Sequence, residues 1–379
     1  MKRLTHIAFY FIICSIVYSC KKSYNPPAIQ VNNRFLVIDG VLVNSVDSPT
    51  VIRLSRTVKL TDSTFASSPE TGAMISIEGN TGQSFPLVEK PGGIYISNPL
   101  SLTYSNQYRL KITTANGNEY LSDYVSVVPT PPIDSVTWQQ QNDVTINVNT
   151  HDPLNNTKYY RWDFVETWQY TSTYNRTIAE SNGIIYYVDS TDQTYNCWSS
   201  DISSDILIGS TVALSKDLVS QAPLAVIPQN SEKIGIRYSI LVKQYGLTED
   251  AYQYLRILKT NTETLGSIFD AQPTQLSGNI HSVTNPSEIV IGYITASSVQ
   301  QQRIFINNNQ LSNWNWVYNG VDCRLTSIDQ NPNNFLIYNY PDTSFAPYYF
   351  ISPSSIQLAK KVCVDCTLRG GTTNRPTYW

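Results

Sequence analysis

Ile234-Gly235-Ile236-Arg237-Tyr238-Ser239-Ile240-Leu241-Val242-Lys243 is the stretch whose reading decides the fold class. Ile234, Ile236, Tyr238, Ile240 and Val242 fall on one side of an extended chain, with Arg237, Ser239 and Lys243 opposite. Successive side chains of a strand point to opposite faces, so an apolar set recurring every second residue marks a strand with one buried face. The same alternation recurs upstream. Val144, Ile146 and Val148 oppose Thr145, Asn147 and Asn149, and Tyr160, Trp162 and Phe164 oppose Arg161, Asp163 and Val165. Downstream, Ile289 to Ile294 and Arg303 to Ile306 read as later strands. One helix interrupts the pattern near 248–260. Thr248 suits an N-cap, Glu249 and Asp250 complement the first-turn dipole, and Ala251, Tyr254, Leu255 and Leu258 share a helical face.

Further upstream, residues 35–128 read as a run of strands. Phe35 to Leu42 is a short apolar run, and Val51 to Arg56 and Ala73 to Ile77 alternate in part. In Gln107 to Thr113, Tyr108, Leu110 and Ile112 oppose Arg109, Lys111 and Thr113. Asn116-Gly117 follows as a hairpin signal, then Tyr120 to Val128. About seven strands in about a hundred residues predict an immunoglobulin-like β-sandwich. Pro129-Thr130-Pro131-Pro132 breaks the pattern, because proline cannot donate to a ladder. The fold class expected is therefore mainly β: an immunoglobulin-like sandwich over 35–128, then a larger β-rich domain over 133–379 with one inserted amphipathic helix.

The N-terminus has a different character. Lys2 and Arg3 precede an apolar run from Ile7 to Val17, a length that suits a signal peptide and is too short to span a bilayer. Val17-Tyr18-Ser19-Cys20 resembles a lipobox, although Tyr18 is bulky for its position. Residues 1–19 are read as a lipoprotein signal peptide and Cys20 as the site of lipidation by acyl chains such as palmitate. Residues 20–34 then form a polar, proline-containing tether. These features predict a lipid anchor in the outer membrane and select neither leaflet.

Six cysteines are present. Cys14 leaves with the leader and Cys20 takes the lipid. Cys197, Cys323, Cys363 and Cys366 are an even set in an oxidising compartment, which predicts two disulfides. Three pairings are possible; the expected outcome is that Cys363 and Cys366 pin the C-terminal tail to Cys197 and Cys323. A redox reading of Cys363-Val364-Asp365-Cys366 is disfavoured because Thr367-Leu368-Arg369-Gly370-Gly371 reads as a turn rather than a helix start.

The composition narrows the function classes. Charged residues are only 15% of the chain and the net charge is −3; removing the leader takes away Lys2 and Arg3 and no acid. Without a basic block, a nucleic-acid partner is excluded. No G-x-S-x-G elbow, HExxH helix or Walker loop occurs, and no metal or cofactor site is predicted. His151 and His281 stand singly and read as structural or solvated. Trp314 and Trp316 lie in the Asn-rich segment 307–316 and admit two readings: a platform for a glycan or peptide ligand, or core beneath a loop.

The order of motifs resembles a family of Bacteroidota lipoproteins catalogued as domain of unknown function 4249. The matching stretches are Phe35-Leu36-Val37-Ile38-Asp39-Gly40, Gly72 to Ile77, Asn196-Cys197-Trp198, and Tyr238-Ser239-Ile240 leading into Gln244-Tyr245. Further on come Gly266 to Asp270, Gln272-Pro273, Gly278-Asn279-Ile280, Cys363 to Cys366, Gly370-Gly371-Thr372 and Trp379. The resemblance implies an outer-membrane lipoprotein often encoded beside a TonB-dependent receptor, and no defined activity. The expectation is a non-enzymatic accessory to such a receptor in nutrient binding or uptake. The alternatives are a structural or adhesive surface lipoprotein of fimbrial type and, behind it, an envelope hydrolase.

Overall fold

The strand Leu36–Arg56 organises the molecule. Phe35 to Leu42 and Val51 to Arg56, read separately in the sequence, are its two ends. The computed structural model describes residues 34–58, 68–182, 184–189, 193–263, 278–316, 320–329, 344–352 and 355–379. The leader 1–19, Cys20, the tether apart from Arg34, and the motifs at 266–273 lie outside the described residues. At its start Leu36–Arg56 runs parallel to Thr295–Asn307, with Val41 opposite Thr295 and Asn44 opposite Ser298. Its register slips between Ser45 and Val51, and it continues antiparallel to Ile94–Leu100, with Val51 opposite Ile96. An irregularity of this kind bends a strand and lets it serve two neighbours.

Pairing then passes from Ile94–Leu100 to Ser84–Lys90, Met74–Gly79 and Gln107–Thr113, and on to Val125–Val128. Val127 and Val128 pair with Ala296 and Ser297, which returns the circuit to Thr295–Asn307. The first layer pair is therefore a sandwich closed at its edges. Ile52, Ile77, Tyr95, Leu110, Ile112 and Tyr120 fill it with no exposed surface. Asn116-Gly117 makes the expected hairpin: Gly117 takes a φ of +86° and Lys111 pairs with Leu121.

This core also takes Ile280, Val290, Ile294 and Ala296 from the late chain. Residues 35–128 thus do not complete their sandwich alone, and Phe35–Trp379 forms one compact unit. The proline run separates two cores within that unit. It is stitched in rather than free: Thr130 Oγ1 accepts the Gly246 N–H at 2.9 Å, and the carbonyl of Pro131 accepts from Gln244 Nε2 at 2.8 Å.

The second sandwich lays the sheet Ile133–Gln140, Val144–His151 and Leu218–Ile227 against the sheet Asn196–Ile202, Tyr159–Thr171, Arg237–Gly246 and Thr295–Asn307. Val144, Ile146, Val148, Tyr160, Trp162 and Tyr238 meet between them, as their alternation requires. Thr295–Asn307 belongs to both sandwiches. The stripe that decided the fold class begins at Tyr238; Ile236 lies outside the strand and is 37% exposed. Its opposite face is covered rather than solvated. Ser239 is fully buried, and the guanidinium of Arg237 lies over Phe305 and Trp379. Arg303 stacks on Tyr378, 3.6 Å from the ring centre, so the C-terminal tail caps the sheet's outer face.

The helix runs Glu249–Glu263, with Thr248 Oγ1 accepting the Ala251 N–H at 3.3 Å. It buries Ala251 and Tyr254 and packs Tyr252 on Tyr159. Among the described residues no helix is long and apolar enough to cross a membrane. A smaller layer, Thr326–Asp329, Ser355–Lys360 and Phe345–Ser352, carries the approach to the tail. Cys323 bonds Cys363 and Cys197 bonds Cys366, so the tail is pinned to Cys197 and Cys323 as expected and the open choice of pairing is fixed. Cys363 sits in a four-residue helix, Lys361–Val364, and the stretch after it turns tightly at Cys366–Arg369 into the left-handed Gly370. The two cysteines of the CxxC serve different bridges and do not form a redox pair. Gly371 is required beyond them, because a Cβ there would stand 2.2 Å from the Tyr170 hydroxyl.

Candidate functional site

The two tryptophans do not form a platform. Trp314 is 5% exposed within the second core, and its Nε1 donates to the Ser231 carbonyl at 3.1 Å. Trp316 is half-buried against Gly235, with the Arg369 guanidinium 5.8 Å from its ring centre. The core alternative holds for Trp314, because segment 307–316 folds back through a turn at 308–310 instead of extending. Trp314 is thereby closed to a ligand, and the two rings share no common face.

The histidines are peripheral. His281 approaches Asp123 at 3.4 Å with both side chains more than 60% exposed, a pair that solvent screens. His151 ends its strand beside a turn in which Asp152 accepts the N–H groups of Leu154, Asn156 and Thr157. Its Nδ1 lies 2.8 Å from Asp134. That hydrogen bond, and then the charge of Asp134, hold the imidazole above its ordinary range. A histidine whose folded pKa is raised contributes stability below its unfolded value, about 6.5, and loses it as pH rises through the folded value. Asp134→Asn is expected to lower the His151 pKa in an NMR titration. An unmoved titration curve in that variant would rule out the pairing.

Charges from distant parts of the chain meet in a cleft of about 270 Å³ where the two sandwiches join. Three strands supply its charged groups. Asp39 and Arg53 come from Leu36–Arg56, Arg161 and Asp163 from Tyr159–Thr171, and Lys243 and Tyr245 from Arg237–Gly246. Arg161 and Asp163 are two residues apart and share a face, and in register Lys243 stands across from Asp163 and Tyr245 across from Arg161. Gly40 allows the bend that presents Asp39. It has φ +156°, and a Cβ there would stand 2.6 Å from the Val51 carbonyl oxygen, so only glycine lets the strand's two arms approach this closely. Val41, Val43 and Tyr245 pack as a separate apolar cluster beneath the charges.

The charges are unequally matched. Arg161 Nε donates to Asp163 at 3.1 Å, and its Nη2 lies 3.6 Å from Asp39. Burial opposes the Arg161 charge, but the two aspartates outweigh it and hold the guanidinium above its ordinary pKa. Arg53 reaches Asp39 only at 3.7 Å and is 45% exposed. Lys243 makes no ion pair or hydrogen bond among the described residues. Burial, with Arg53 nearby, pushes its pKa below the ordinary lysine range, and Asp163 pulls only partly back. Ser203 at the rim is committed to the backbone, its hydroxyl accepting the Phe164 N–H at 3.0 Å. The arrangement suits holding a charged group in place.

Sequence reasoning missed this cleft. Arg161, Asp163 and Lys243 were visible as the polar faces of their strands, but a polar face ordinarily means solvent. A second hollow of about 420 Å³ borders Glu166, whose buried carboxylate accepts from Tyr238 Oη at 3.0 Å and from Lys233 Nζ and is thereby satisfied. Among the described residues no three His, Cys, Asp or Glu side chains gather as a metal-ligand set.

Comparison with known proteins gives a family and little else. No curated protein matches the chain. Among solved structures, one titled "Structure of Yersinia pseudotuberculosis adhesin InvE" aligns at 13% identity with a TM-score of 0.16, covering 56% of this chain and 55% of that chain. The chain spans about half the length of that protein, and so slight a likeness carries no argument. The family match extends over residues 21–303, which takes in the helix, every residue of the cleft and both sandwiches up to the middle of Thr295–Asn307. On that match, the chain belongs to the family described as "Domain of unknown function (DUF4249)".

Proposed function

We propose that this protein is a lipid-anchored, non-enzymatic binding protein of the bacterial outer membrane, acting beside a TonB-dependent receptor in nutrient uptake. One observation carries the reading: every cysteine after Cys20 is committed to a disulfide. Removal of the leader after Ser19 then leaves Cys20 as the one thiol available for acylation. Paired cysteines also suit an oxidising envelope rather than the cytoplasm. The cleft supports binding over catalysis, because its carboxylates engage arginines instead of facing a nucleophile.

The test is affinity purification of the tagged, full-length protein from gently solubilised outer membranes, followed by mass spectrometry. Stoichiometric recovery of a TonB-dependent receptor is expected. A Cys20→Ala variant is expected to lose both membrane attachment and the receptor. Recovery of the protein alone, or as a ladder of itself, overturns the accessory role and points to a free-standing binder or a fibre subunit.

A further inference from the structure

We infer that the cleft formed by Asp39, Arg53, Arg161, Asp163 and Lys243 binds the carboxylate of a small ligand, with Lys243 as the principal contact and Arg53 as the second. The inference rests on the binding reading above and is independent of any receptor.

Three cations and two anions share the cleft, and their pairing is uneven. Arg161 takes Asp163 and leans towards Asp39, while Arg53 reaches the remaining side of Asp39 at the edge of ion-pair distance. Lys243 is left over. It faces Asp163 directly across the ladder, yet Asp163 is already engaged by Arg161. A partly buried ammonium without a counter-ion loses hydration and gains no Coulombic return, so a fold that only needed packing there would be better served by an apolar side chain. An incoming anion supplies the missing partner.

Charge balance also selects the ligand. The cleft carries one net positive charge. A monoanion neutralises it, whereas a phosphate dianion would bring its second charge against Asp39 and Asp163. Size and walls narrow the choice further. About 270 Å³ lies at the small end of ligand pockets and accommodates one residue or sugar unit. Val41, Val43 and Phe164 offer an apolar wall beside the charges, which fits a carboxylate carried on a short apolar stem. A peptide C-terminus and a uronic acid both present this group.

The experiment is calorimetric titration of full-length protein in detergent with four probes: N-acetylvaline, N-acetylvaline amide, galacturonate and inorganic phosphate. Binding of N-acetylvaline or galacturonate is expected, and whichever binds more tightly identifies the source of the carboxylate. The amide is expected not to bind. Lys243→Met is expected to weaken the carboxylate at least about tenfold, a step of about 1.4 kcal/mol. Because it removes an unpaired charge, the same variant is expected to melt no lower than wild type, whereas an integral structural ion pair would lower its melting temperature. Should Lys243→Met fail to fold, Arg53→Gln, at a more exposed position, must weaken the carboxylate at least about threefold. Absence of binding by either carboxylate, equal affinity in the variants, or phosphate binding more tightly than both carboxylates overturns the proposal. A receptor recovered in the purification alongside no carboxylate binding here would sink this inference and leave the accessory role standing.

Discussion

Replacing Cys197 and Cys366 together by serine is expected to cost about 5 kcal/mol of stability. The bridge joins residues 169 apart in sequence, and the chain-entropy cost of unfolding with that link in place grows with the logarithm of the loop. Its surroundings reinforce the effect. Both cysteines are fully buried, and Tyr170 donates its hydroxyl to the Cys366 carbonyl at 3.0 Å. Just beyond, Thr372 and Trp198 exchange both backbone hydrogen bonds, and Trp379 donates Nε1 to Gln169 at 3.3 Å. Loosening the bridge therefore frees the tail that covers Arg237, Ser239 and Arg303. The Cys323–Cys363 bridge closes only 40 residues and is expected to contribute about 4 kcal/mol. Guanidinium melts of the double variants against wild type test both values. A midpoint unchanged by the Cys197/Cys366 substitution would remove the tail from the stabilising framework.

Asp217→Ala is expected to cost about 3–5 kcal/mol, although the residue touches no proposed ligand. Asp217 is 3% exposed, and its carboxylate accepts from Tyr160 Oη, from Thr211 Oγ1 at 2.5 Å and from the Asp152 N–H at 2.9 Å. Its own N–H donates to Asn155 Oδ1 at 2.7 Å, which ties the turn after His151 to the strand Leu218–Ile227. Removing the carboxylate strands these donors in a water-poor site, and each buried unsatisfied group costs about 1–3 kcal/mol. Burial, and then Asp217, hold the Tyr160 phenol above its ordinary pKa, so Tyr160 stays a phenol and a donor across the physiological range. Tyr160→Phe removes one donor and leaves the acceptor with two others, so its cost is expected to be nearer 1–2 kcal/mol. Equal losses in the two variants would show that the Tyr160 hydroxyl alone accounts for the stabilisation and that the Thr211 and Asp152 hydrogen bonds add nothing.

Much of the secondary structure was legible because its signals are local. Tyr238, Ile240 and Val242, like Val144, Ile146 and Val148, are buried where period-two alternation puts them. Thr248 caps its helix, and Asn116-Gly117 turns its hairpin, because cap and turn chemistry act within a few residues. That the tail cysteines tie back to Cys197 and Cys323 was legible from number and position, whereas the choice between the two ways of doing so came from the fold. The tryptophan pair was ambiguous because a large aromatic side chain packs in a core as readily as it stacks on a ligand, and only burial separates the two.

The amino-acid sequence by itself therefore determined many of the strands, where the helix begins, that the tail cysteines are tied back to Cys197 and Cys323, and that the fold is mainly β, while the tertiary structure chose which tail cysteine joins which partner. Tertiary structure alone decided that Leu36–Arg56 is one bent strand, that 280–296 returns to complete the first core, and that the tail hides a face that alternation marked as open. It also decided the cleft. Arg53, Arg161 and Lys243 come together only through the register of strands far apart in the chain, and a slip of one residue would turn any of them to the opposite face. Register is set by the whole packed sheet, so no local stretch of sequence encodes it.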